Sequence, residues 1–162
     1  TPIKSSAASD VYKRQVFPER YQSRKAEEDK AVKIYHFCAD KLLWRILKDG
    51  LTMGGVVVPE KKGFVMYTGW VWLTCDPDPT HQSWATQNFV QYSRTAWRLT
   101  IEIPDLWLKN IFDRQQLSEA VPGAEIVFDG YPYSEQWRAF DGRIPREWIK
   151  AAEKMEVQGE AD

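Results

Sequence analysis

The sequence predicts a single α+β domain in which strands outnumber helices. Three observations carry that prediction. Thr95–Ile103 alternates apolar and polar residues at period two, with Trp97, Leu99, Ile101 and Ile103 on one face. Leu42, Leu43, Ile46 and Leu47 recur at helical spacing ahead of Gly50. Glycine and proline cut the rest of the chain into short runs rich in β-formers, with no internal repeat and no linker.

Taken in order, Lys33–Cys38 is the first predicted strand. Asp40 is placed to cap a helix, and Gly50 sits where a C′ glycine ends one. Leu51–Lys62, with Gly54, Gly55 and Pro59, reads as a loop around the brief run Val56–Val58. Phe64–Tyr67 and Trp70–Cys75 read as two strands with a turn at Thr68–Gly69. Asp76-Pro77-Asp78-Pro79 stops the second, because proline cannot continue a ladder. Thr80–Tyr92 is either a helix or an ordered loop. Pro104 ends the strand Thr95–Ile103, and Asp105 caps a helix running to about Gln116. Glu125–Phe128 and Glu135–Phe140 read as two more strands around a turn at Gly130–Pro132. Gly142–Pro145 turns the chain, Arg146–Ala151 forms one helical turn, and Ala152–Val157 closes the sheet. Gln158–Asp162 is a polar tail, and the stretch from Phe17 to Lys33 an exposed arm or short helix.

Composition narrows the function classes. The chain has 162 residues, 22 basic against 23 acidic, for a net charge of −1. That balance gives a nucleic-acid partner no support. No apolar run is long enough to span a bilayer, and no secretory signal opens the sequence, so a soluble cytoplasmic protein is expected. Two cysteines, Cys38 and Cys75, make no disulfide framework and read as reduced thiols. Eight tryptophans, seven tyrosines and seven phenylalanines are many for this length. At that density aromatics fill a core or line a site that stacks flat ligands.

Several constellations carry chemistry. His36 lies mid-strand, as either a satisfied core histidine or a ligand contact. His36, Cys38, Cys75 and His81 have the donor types of a zinc set, but no paired spacing, so no metal is expected. Trp70, Trp72 and Thr74 share one strand face opposite Val71, Leu73 and Cys75. They read as a second hydrophobic layer or as a cleft floor where indole stacks a base and Thr74 offers a hydroxyl. Glu135 and Trp137 repeat that pattern two residues apart; the glutamate is either a strand-edge carboxylate or a ribose ligand. Tyr35 and Trp84 join the candidate lining. Arg94 and Arg98 are candidate phosphate ligands, with pairing to Glu102 the simpler account of Arg98. There is no glycine-rich phosphate loop and no Ser-His-Asp pattern.

Two resemblances add to these readings. Ser5–Gln15 resembles translated sequencing-adapter read-through, which implies a metagenomic source and a natural start after Gln15; without residues 1–15 the charge is −3. Ile34-Tyr35-His36-Phe37, then Trp44-Arg45-Ile46-Leu47 and Asp49-Gly50-Leu51, resembles the opening of ADP-ribosyltransferase-like domains. Trp70–Thr74 looks like their second core strand. Phe140–Ile149 resembles the closing phrase of the DNA-targeting transferase toxins, and Trp72-Leu73-Thr74 with Ile144-Pro145-Arg146-Glu147-Trp148 is similar to a bacterial and phage branch. The resemblance spans 33–157 in short blocks. It implies split antiparallel β-sheets with short helices, and NAD as the cofactor.

In that superfamily a first-strand histidine holds the NAD ribose and a second-strand hydroxyl or aromatic residue meets the nicotinamide. A later glutamate stabilises the cationic transition state. His36 matches the first place, and Trp72 or Thr74 the second. Aligning through Gly142–Pro145 puts Trp137 at the third, with Glu135 one strand step, about 6.6 Å, away. The resemblance therefore implies a binder of NAD-related nucleotides with His36 and Glu135 as the catalytic pair, and leaves catalysis open. Its alternative is a phage-type sponge that sequesters a cyclic or NAD-derived immune messenger. A third alternative is a protein-interaction module. Whether the protein forms an oligomer stays open.

Overall fold

A computed structural model describes residues 31–86 and 92–156. Thr1–Gln15, most of the arm before Lys33, part of Thr80–Tyr92 and the tail Gln158–Asp162 lie outside those residues. The described elements belong to one compact unit within Val32–Asp162. They are β1 (Val32–Cys38), α1 (Asp40–Asp49), β2 (Gly55–Glu60), β3 (Gly63–Thr68), β4 (Trp70–Thr74), β5 (Trp97–Ile103), β6 (Ile111–Phe112), α2 (Arg114–Ala120), α3 (Glu125–Phe128), β7 (Trp137–Asp141) and β8 (Ile149–Lys154). Among the described residues no helix is long and apolar enough to cross a membrane.

The chain folds as α+β, with two antiparallel sheets. Six strands follow the order β6-β7-β4-β1-β5-β8, and β2 and β3 form a separate hairpin. The β1–β5 ladder is long, running from Val32 opposite Ile103 to Cys38 opposite Trp97. Its other neighbour is different: Tyr35 opposite Thr74 is the single residue pair in register between β1 and β4. The sheet parts there.

Alternation along the strands sends side chains into two cores. Ile34, Val71, Leu73, Leu99, Ile101 and Phe140 pack on one face under Ile46 of α1. Trp137 and Ala139 of β7 lie on the opposite face, with Val56 and Val58 of the hairpin and Leu117, Val121 and Phe128 of the helical segment. Trp70 and Trp72 pack against this second core. Burying each of these large side chains stabilises the fold by about 1.5–3 kcal/mol.

Several expected elements take another form. Gly55–Glu60 is a strand, not a loop, because Val56 and Val58 bury one face of the hairpin. Pro59 is tolerated because a two-stranded sheet is all edge. Phe64–Tyr67 and Trp70–Cys75 are strands, but in different sheets; Gly69, at φ 86°, lets the chain change sheet. The expected helix Asp105–Gln116 is a 3₁₀ turn at Asp105–Asn110, then β6, then α2. Asp113 caps α2: its carboxylate accepts from the Gln116 amide while the Gln116 side chain accepts from the Asp113 N–H. Asp40 is no cap; it opens α1 after Ala39 and accepts from Trp97 Nε1 at 2.7 Å. Glu125–Phe128 is a helical turn that buries only Phe128. Ser134–Gln136 is a 3₁₀ turn, so the following strand starts at Trp137. The last helical turn ends at Trp148, and β8 begins at Ile149.

Gly50 ends α1 at φ 81° and brings Leu51 against Ile144, with paired backbone bonds of 2.9 and 3.0 Å. A Cβ there would collide with the Ile144 carbonyl oxygen. Gly69 has a similar φ but open space around it. Urea denaturation should therefore separate them. Gly69→Ala should cost about 1–2 kcal/mol, the left-handed backbone penalty alone. Gly50→Ala should cost about 3 kcal/mol or more. Equal losses would refute the close approach.

Candidate functional site

A cavity of about 330 Å³ opens where β1 and β4 part. Its wall includes Tyr35, His36 and Phe37 of β1, Trp72, Leu73 and Thr74 of β4, and Trp137 of β7. Gln82, Trp84 and Arg94 come from the segment between β4 and β5, and Val127 and Tyr131 from α3 and the loop after it. That volume lies in the range of small-molecule pockets, about 300–1,000 Å³, and the predominance of rings suits a flat ligand.

The side chain of His36 sits in the parting. Its Nδ1 donates to the Trp72 carbonyl at 2.7 Å. A carbonyl only accepts, so Nδ1 carries the proton and Nε2 holds the lone pair. Burial lowers the His36 pKa below the ordinary histidine value, outweighing the Trp72 carbonyl, which works to raise it. The ring is therefore neutral at pH 7.

The rings are held in place from behind. Trp72 Nε1 donates to the Gly55 carbonyl at 3.1 Å, tying β4 to the hairpin. Trp72 meets Phe128 and Trp137 edge-on, at centroid distances of 5.7 and 6.2 Å. Tyr131 lies 5.3 Å from Trp137. Trp84 Nε1 donates to Gln82 Oε1, while the Gln82 amide donates to the carbonyls of Asp76 and Asp78. Gln82 is only 2% exposed. It thus locks the Asp-Pro-Asp-Pro turn to the aromatic wall.

Arg94 supplies the cavity's charge. Its guanidinium lies 4.8 Å over the Trp84 ring and donates to the Trp84 carbonyl at 3.4 Å. No carboxylate is among the described lining residues. Trp137 Nε1 is buried without a hydrogen-bond partner, a state that costs about 1–3 kcal/mol. A second cavity of about 210 Å³ shares His36, Phe37, Trp84 and Arg94 and extends along α1 past Arg45. Cys38 lines it, with its pKa raised to about 11, first by burial and then by the Asp40 charge.

The structure brings Tyr35, His36, Trp72, Thr74, Trp84, Arg94 and Trp137 to one cavity. Two expected residues lie outside its wall. Glu135 is exposed on the turn before β7, because that strand starts two residues after it. Arg98 donates to the Pro77 carbonyl at 2.8 Å and pairs with Glu153 of β8 at 3.1 Å, not with Glu102. The β5–β8 register places Glu153 directly opposite Arg98, which a single strand cannot reveal. The sequence reading missed Gln82, Val127 and Tyr131 as wall residues. The one available signal was Gln82, a polar residue placed just before Trp84.

His81 is also outside the described wall. It pairs with Asp76 at 2.6 Å and stacks on Tyr133 at 3.9 Å. Among the described residues no group of three or more His, Cys, Asp or Glu is placed to hold a metal ion. No family model, no curated protein and no solved structure matches the chain.

The half-buried, neutral histidine sets a pH dependence. A folded pKa below the unfolded value means that unfolding takes up a proton at mildly acid pH. Stability should be full above the ordinary histidine pKa of about 6.5 and fall as pH drops below it, by at most about 1.4 kcal/mol per pH unit. His36→Asn keeps a donor for the Trp72 carbonyl but cannot titrate. Between pH 7 and 5, denaturation should show a larger loss for the wild type than for His36→Asn; parallel losses would refute the assignment.

Proposed function

We propose that the cavity binds an NAD-related nucleotide, with its planar ring against the indoles of Trp72 and Trp137 and a phosphate on Arg94. The observation that carries this reading is the make-up of the wall: aromatic rings, one neutral histidine, one arginine, and no carboxylate among its described residues. Rings with a single cation suit a ligand that is flat at one end and anionic at the other.

An ADP-ribosyltransferase-like fold is part of this proposal. The resemblance calls for a histidine on the first strand, a hydroxyl or aromatic on the next core strand and a third group on a later one. His36, Trp72 with Thr74, and Trp137 stand on β1, β4 and β7, three neighbours in one antiparallel sheet. Phosphate binding falls to Arg94 alone of the two candidate arginines.

A second reading, sequestration of an intact cyclic or NAD-derived messenger, is favoured over transfer by one observation. Glu135, the nearest carboxylate to the expected catalytic place, is exposed and off the described wall. Transfer of ADP-ribose develops positive charge on the ribose, and an aimed carboxylate is what stabilises it. Trp137 supplies none.

Thermal shift of the full chain with NAD, ADP-ribose and cyclic ADP-riboses tests the proposal. A ligand at about 100 times its Kd should add about 2.7 kcal/mol of stability. Arg94→Ala should weaken binding about tenfold or more, as a charged hydrogen bond is lost. Recovery of the ligand intact after denaturation supports sequestration; release of nicotinamide supports transfer. No shift with any of them would overturn the nucleotide reading.

A further inference from the structure

Resting on the nucleotide reading, the second cavity offers that ligand a continuation. Tyr35 and His36 are neighbours on β1 and point to opposite faces of the sheet, yet both line the first cavity. That cavity therefore reaches both faces at the parting. The second cavity, of about 210 Å³, is walled by Cys38, Ile46 and Leu51 of the core under α1. The two cavities share His36, Phe37, Trp84 and Arg94, so Arg94 borders both. Arg45 of α1 borders the second alone. Its Nη2 donates to Met53 Sδ at 2.8 Å, and both side chains are exposed. A thioether is a weak acceptor. Among the described residues no carboxylate lines this cavity either, and none pairs with Arg45 or Arg94. Asp40, whose charge acts on Cys38, is off the wall and accepts from the Trp97 indole.

We propose that the second cavity is a phosphate subsite with Arg45 as its ligand-binding residue. The ligand class is then a nucleotide with a chain of at least two phosphates, one on Arg94 and the next on Arg45. Two guanidiniums and no described carboxylate on one wall make a positive field that an anion neutralises. The space is smaller than the about 300–1,000 Å³ of a whole small-molecule pocket. It suits the extension of a ligand seated next door, not a separate one. The shared arginine sets the order: ring in the first cavity, first phosphate at Arg94, second phosphate beyond it. Exchanging Met53 for phosphate gives Arg45 a charged acceptor in place of a weak one, and charge-assisted bonds are about twice as strong as neutral ones. Arg45 lies on the exposed side of α1, so its side chain turns without disturbing the core. A mononucleotide fills the first cavity and leaves Arg45 on Met53.

Calorimetric titration of the full chain with two nucleotide pairs tests this: adenosine mono- and diphosphate, and nicotinamide mononucleotide and NAD. In each pair that binds, the two-phosphate member should bind about tenfold or more tightly, the effect of one charged hydrogen-bonding partner. Arg45→Ala should reduce that ratio to about twofold or less and leave the mononucleotide affinity within about twofold. Lys48→Ala removes an exposed charge from the same helix, off the cavity wall, and should leave the ratio within about twofold of wild type. In wild-type protein, which needs no variant to fold, the Met53 methyl signal should move with the two-phosphate ligands and not with the mononucleotides. Three results would overturn the inference and leave the nucleotide reading standing. They are equal affinities within each pair, a ratio that survives Arg45→Ala, and a ratio lost equally in Lys48→Ala. Binding of none of these nucleotides would overturn both.

Discussion

The bond from His36 Nδ1 to the Trp72 carbonyl is the constraint on which the site depends. Neighbouring strands normally pair their backbones, and a buried carbonyl without a partner is costly. β1 and β4 hold only one residue pair in register, so an acceptor on β4 needs another donor. A side chain of β1 supplies it. The two strands can then diverge without an unpaired group at the parting, and the divergence is the mouth of a cavity. The same bond fixes the tautomer of His36 and leaves its Nε2 as an acceptor. Burial keeps the ring neutral, so the parting adds no charge to compete with Arg94.

Much of this was legible in the sequence, for a definable reason. β5 declares itself because one face is buried and the other wet, and period two survives in such a strand. α1 declares itself through its spacing and Gly50. The lining residues on β1 and β4 were found because a strand face can be read from alternation alone, and the resemblance singled out His36. What escaped depends on partners distant in sequence. Val56–Val58 looks like a stray apolar run until Leu117, Val121 and Phe128 are seen to cover it. Glu125–Phe128 has strand composition, yet it is a helical turn in which only Phe128 is fully buried. Glu135 was placed on a strand that begins two residues later, and that slip moves it from wall to surface. Arg98 finds Glu153 through a strand pairing that no local pattern encodes.

The aromatic wall is held by hydrogen bonds made behind it and within it. Trp72 is tied to Gly55, and Trp84 is tied to Gln82, which in turn holds two carbonyls of the turn after β4. Each of these two indoles has its N–H bonded to a protein acceptor. Rings held this way lose little freedom when a flat ligand arrives, and pre-organisation of that kind raises affinity by lowering the ordering cost. Trp137 breaks the rule: its ring is fixed by Trp72, Tyr131 and Phe128, but its N–H is not spent.

That exception bears on what the site does with its ligand. Breaking a glycosidic bond to ribose builds positive charge at carbon, and a wall that assists needs negative charge or acceptors aimed at that point. The described wall holds no such charge: its polar groups are a guanidinium, hydroxyls of which Thr74 already accepts one bond, a committed amide, an indole donor and one neutral imidazole. Such a wall favours anionic and carbonyl oxygens, groups present in the intact nucleotide. Under the proposed sequestration, that bias would act on the ground state of the ligand rather than on a transition state.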